Sequence, residues 1–89
     1  MNTSRASTQG TKDKWIAFMQ KGTRHYQSGQ FPDATIAFSQ AIRILPSQPE
    51  GWVNLGAALA QLDQHSKAVS AIESAIRLNP NLMPLGFNS

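Results

Sequence analysis

Between Trp52 and Ile76 the apolar positions fall on two helical stripes separated by a polar break. Trp52, Leu55, Gly56 and Leu59 stand at i, i+3, i+4 and i+7, the spacing that brings side chains to one face of an α-helix. Asp63 and Gln64 interrupt the stripe, and Ala68, Val69, Ile72, Ala75 and Ile76 resume it. Ser47 lies three residues before Glu50, a capping-box spacing. Pro49 suits a first helical turn, where a missing N–H costs no hydrogen bond. Asn79-Pro80 marks an end, because the residue before proline is pushed out of the helical region. The pattern predicts helices over about residues 49–62 and 66–78.

The upstream half follows the same plan. Trp15, Phe18, Met19, Gly22 and Tyr26 are the contact positions of a helix over about residues 13–28. Ser28-Gly29-Gln30 reads as the turn. Pro32 opens a second helix carrying Ala34, Ile36, Ala37, Phe38, Ala41 and Ile42 as far as Leu45-Pro46. The two halves are one pattern used twice. AIRILP at Ala41–Pro46 recurs as AIRLNP at Ala75–Pro80, 34 residues later. The same offset carries Gly22 onto Gly56, Ala34 onto Ala68, Ala37 onto Ala71, Phe38 onto Ile72 and Arg43 onto Arg77. The expected fold is all-α, two tandem antiparallel helical hairpins forming a piece of an α-solenoid.

Glycine inside a helix costs about 1 kcal/mol against alanine, so its recurrence at Gly22 and Gly56 implies close packing, with Ala34 and Ala68 expected opposite. Arg43 and Arg77 fall at the ends of second helices, where a cation complements the helix dipole.

With 89 residues the chain has room for one small domain. The net charge of +3 favours acidic partners, but the cations are scattered and form no block that marks a nucleic-acid surface. Without cysteine, and with only His25 and His65, a four-ligand zinc site is not expected. No nucleophile–base pair or phosphate loop is visible, so neither catalysis nor a cofactor is expected. No apolar run is long enough to span a membrane, and the first ten residues lack the apolar stretch of a signal peptide. The default location is cytoplasmic.

At these residues the chain resembles the tetratricopeptide repeat family. Repeat two, residues 49–82, carries the family's pattern at Trp52, Leu55-Gly56, Leu59, Ala68, Ile72, Ala75 and Pro80. Repeat one, about residues 15–48, carries it at Phe18, Gly22, Ala34, Phe38, Ala41 and Pro46, and departs at Lys21 and His25, where larger apolar residues are usual. The resemblance implies a non-catalytic protein-interaction module, with the first helices of the hairpins lining a concave groove for a partner peptide or helix. Carried over, the groove residues are Met19, Thr23, Tyr26 and Gln27 in repeat one and Val53, Asn54, Ala57, Ala60 and Gln61 in repeat two. Some members clamp the C-terminal carboxylate of chaperones with Lys and Asn side chains. The corresponding positions here hold Met19 and Thr23, and only Asn54 fits, so chaperone-tail binding is not the leading expectation.

Residues 1–10 read as a flexible tail, and residues 11–82 hold the two repeats. In residues 83–89, Pro84-Leu85-Gly86-Phe87 echoes Pro49-Glu50-Gly51-Trp52, the start of a truncated third repeat or a tail. Solenoid arrays commonly use three or more repeats and a polar capping helix. Val69, Ile72 and Ile76 on the last helix are therefore expected to need a cover, which makes self-association an alternative role. A further alternative is an adapter region of a larger repeat-containing enzyme.

Overall fold

A computed structural model of the chain describes the backbone of residues 3–82 and the side chains of residues 10–81. Four α-helices run in order: α1 (Thr3–Gln27), α2 (Phe31–Ile44), α3 (Pro49–Gln61) and α4 (His65–Leu78), followed by a short 3₁₀ turn at Pro80–Leu82. Helix α1 pairs with α2, and α3 pairs with α4. Helix α2 packs on α3 and so joins the hairpins.

Prolines set two of the helix starts, with Pro32 and Pro49 in the first turns of α2 and α3. The turns inside the hairpins match each other bond for bond. Gly29 N–H donates to the Tyr26 carbonyl at 3.0 Å and Gln30 N–H to the His25 carbonyl at 2.8 Å. Thirty-four residues on, Asp63 N–H donates to Ala60 at 3.0 Å and Gln64 N–H to Leu59 at 2.9 Å. Both are Schellman closures, which need a left-handed residue just past the helix. Gly29 supplies it at φ 77° and Asp63 at φ 60°.

The core is built from small residues around one large ring. Ala34, Ala41, Ala58 and Ala75 are fully buried, and Phe38 is 2% exposed. Gly22 lies directly under Phe38: a Cβ there would come 2.5 Å from the ring. Gly56 lies under Ile72, with a Cβ 2.7 Å from Ile72 Cδ1 and 3.2 Å from the Ala68 carbonyl. The close approach expected at the glycines is present, and the side chains nearest above them are the large Phe38 and Ile72, with Ala68 contributing its backbone carbonyl at Gly56. Glycine is needed because a bulky side chain must cross the helix axis there.

Two further expectations change. Helix α1 begins at Thr3 instead of near Asp13, so residues 3–10, expected as a tail, have helical backbone. That stretch contains no proline, and Ala6, Arg5 and Gln9 are good helix formers. With 25 residues against 14, α1 outruns α2, so its first turns carry no apolar stripe to betray them. The capping box does not form. Gln48 is the N-cap of α3 and makes no side-chain cap bond. Pro49, as first helical residue, fixes the boundary one residue after Ser47's reach. The other helix limits agree with the pattern within one residue. Arg43 and Arg77 lie in the last turns of α2 and α4 as expected. The third-repeat start expected over residues 83–89 lies outside the described residues.

Candidate functional site

Helices α1 and α3 lie side by side, and the stripe each presents beside the α2 contact forms a groove. One cavity of about 360 Å³ is lined by Thr23, Tyr26, Gln27, Phe38, Asn54 and Ala57. A second, of about 330 Å³, is lined by Trp15, Met19, Pro49, Glu50, Val53, Asn54 and Asn79. The two share Asn54. Together they bring seven of the eight principal groove residues onto one continuous surface: Met19, Thr23, Tyr26, Gln27, Val53, Asn54 and Ala57. Gln61 lines neither cavity but is tied to the groove, since its Nε2 donates to the Tyr26 hydroxyl at 3.2 Å. Ala60 faces elsewhere, towards the groove between α3 and α4.

The groove offers its polar chemistry unevenly. Thr23 is spent on its own helix, donating from Oγ1 to the Met19 carbonyl at 2.8 Å. Tyr26 is half-buried and packs edge-on against Phe31, with ring centroids 5.1 Å apart and planes at 71°. Its ring belongs to the core edge and its hydroxyl to the groove. Asn54 is half-buried, and its carboxamide meets no other protein group among the described residues. An amide offers two donors and an oxygen acceptor, and partial burial raises the cost of leaving them unmet. The indole Nε1 of Trp15 is shielded from solvent and likewise donates to no protein group among the described residues.

Trp15 was the least legible member of the site. It lines the second cavity and also a third of about 480 Å³ with Ile16, Met19, Gln20, Thr23 and Arg24, which extends the groove along α1. The signal was present: Trp15, Met19, Gly22 and Tyr26 lie at i, i+4, i+7 and i+11 on one helical face. Trp52 is a structural tryptophan by contrast, its Nε1 donating to the Pro46 carbonyl at 2.9 Å. His25, which takes the place of Leu59 in the first hairpin, pairs its Nδ1 with Gln30 Oε1 at 2.7 Å beside the turn. His65 lies 3.6 Å from Asp63 on the surface.

The residues expected to need a cover lie on a different face. Val69, Ile72 and Ile76 line a cavity of about 550 Å³ between α3 and α4. Among the described residues there is no group of three or more His, Cys, Asp or Glu side chains able to hold a metal ion, and no helix long and apolar enough to cross a membrane.

Residues 22–63 match a family model described as TPR repeat, and residues 49–82 match one described as tetratricopeptide repeat. Among curated proteins, the Hsp70-Hsp90 organizing protein of Triticum aestivum is 33% identical over 61 residues, covering 68% of this chain and 10% of that relative. The chain thus spans about a tenth of that relative's length.

Proposed function

The chain belongs to the tetratricopeptide repeat family, and from that premise we propose that it is a non-catalytic module that holds an extended segment of a protein partner along the α1–α3 groove. The observation that carries this reading is the unspent carboxamide of Asn54, half-buried in the common wall of two adjoining cavities. An extended peptide has a carbonyl and an N–H at every residue, and a single amide side chain can pair with both. Met19 and Val53 supply apolar contact beside it, and Tyr26 supplies a ring and a hydroxyl.

Similarity to a protein named as an organizer of Hsp70 and Hsp90 brings a chaperone segment into consideration as ligand. The two cavities are lined by no lysine or arginine, and Glu50 stands at the edge of one. Arg24 lines the cavity that continues the groove along α1, but no cation stands in the two cavities that share Asn54, so the ligand that fits beside Asn54 is an internal, neutral stretch of chain.

Selection of a random-sequence peptide library on the intact protein tests this. Enriched peptides are expected to lose about ten-fold in affinity, roughly 1.4 kcal/mol, with Asn54→Ala, and less with Tyr26→Phe, which keeps the ring against Phe31. Circular dichroism controls for folding. Peptides whose binding ignores both changes would move the ligand off this groove.

A further inference from the structure

The α3–α4 edge repeats a surface whose complement is present in the same chain. Under the 34-residue offset, Phe38 and Ile42 of α2 become Ile72 and Ile76 of α4. The first pair is covered by α3 and is 2% and 8% exposed. The cover is made by three positions of α3. Gly51 comes close to Ile42, a Cβ on it falling 3.0 Å from Ile42 Cγ1. Leu55 and Ala58 pack with Ala34 and Phe38. These stand at i, i+4 and i+7, one face of a helix.

Over the second pair no helix lies among the described residues. Instead there is the apolar cavity of about 550 Å³, with Val53 and Ala60 on the α3 side. Val69, 55% exposed, stands where the covered hairpin has the half-buried Thr35. At this point the open edge carries an exposed apolar side chain where the covered hairpin carries a hydroxyl, and Val69 adjoins Ile72 and Ile76 in the wall of the cavity.

We infer that this edge docks an amphipathic helix of a protein partner, running antiparallel to α4 and presenting small, large aliphatic and small residues at i, i+4 and i+7. A second copy of the chain stacked head to tail does not meet that description. Its α1 carries Ala17, Lys21 and Arg24 at the three positions, all exposed. Seating them would bury two cations against Ile72 and Ile76 with Glu73 alone on that wall. The α3 of a second copy is already used within its own hairpins. The inference does not depend on the α1–α3 groove, and each stands if the other fails.

The test uses the full chain and a synthetic peptide with the sequence of residues 47–63, cross-linked on its solvent-facing side to hold it helical. Fluorescence polarisation is expected to show saturable 1:1 binding. Ala58→Arg in the peptide, the residue type that α1 carries there, is expected to weaken it at least about ten-fold. Val69→Asp in the protein, at an exposed position that leaves the core intact, is expected to do the same, and Asn54→Ala in the protein to leave it unchanged. No saturable binding, or equal binding by the Ala58→Arg peptide, would overturn the inference. So would a concentration-dependent dimer that Val69→Asp dissociates and the peptide fails to compete, since a second copy would then hold the edge.

Discussion

Gly22 and Gly56 hold the same place in the two hairpins, yet the side chains above them have different surroundings. Phe38, over Gly22, is closed in by α3 and almost wholly buried. Ile72, over Gly56, is half-buried, because beyond it lies the open α3–α4 edge. The hairpins are alike in backbone and in close approach. They differ in whether the large residue is held from one side or from two. Burial in this architecture is a property of the neighbour as much as of the hairpin, as expected where each repeat contacts only the repeats beside it.

That comparison makes its largest prediction at the two large residues. Phe38→Ala is expected to cost about 3–5 kcal/mol, enough to unfold a chain of this size, while Ile72→Ala costs about 2 kcal/mol. Urea titration followed by far-ultraviolet circular dichroism measures both. Equal losses would mean that α3 contributes nothing to Phe38 beyond its own hairpin.

The glycines beneath them sharpen the point. Gly22→Ala forces the Phe38 ring to move while α3 blocks its retreat, and is expected to cost about 1–3 kcal/mol. Gly56→Ala meets an isoleucine with open space on its far side and the Ala68 carbonyl at 3.2 Å, while alanine's better helix propensity returns about 1 kcal/mol. Its net effect is expected to be smaller, and a reversed order of melting temperatures would break the comparison.

The smallest difference concerns the turns. Gly29→Ala places a side chain in the left-handed region and is expected to cost about 1–2 kcal/mol. Asp63→Gly, in the equivalent turn, is expected to raise stability by a few tenths of a kcal/mol, since aspartate bears only part of that strain. Thermal unfolding of the two variants side by side reads the difference.

The period was the most legible feature of the sequence, because tight packing recurs wherever the backbone recurs. Pro32, Pro49 and the Pro46 and Pro80 stops placed three helices within a residue of their limits, since proline acts on its own backbone and needs no tertiary partner. The start of α1 was hidden for the opposite reason: a helix extending past its partner has no apolar stripe to show. Ser47 and Glu50 had the spacing of a cap, but Pro49 had the stronger hold on where α3 begins. In the groove, the carried-over positions fell on one surface because they share a helical face with core residues. Trp15 was missed as a groove residue because a large aromatic beside a core stripe has the same signature whether it packs or binds. The polar state of Asn54, Thr23 and Tyr26 was not legible at all, since it depends on which neighbours reach them.

If the α1–α3 groove holds a peptide as proposed, the bond between Gln61 and Tyr26 would give it a directional preference. Tyr26 is the acceptor in it, and its own O–H donates to no protein group among the described residues. A ligand carbonyl arriving there extends a chain of polarised bonds, amide to phenol to carbonyl, in which each link strengthens the next. A ligand amine would compete with Gln61 for the phenol oxygen. On the proposed reading, this end of the groove would distinguish a peptide carbonyl from a peptide N–H and so set the orientation in which a partner segment lies.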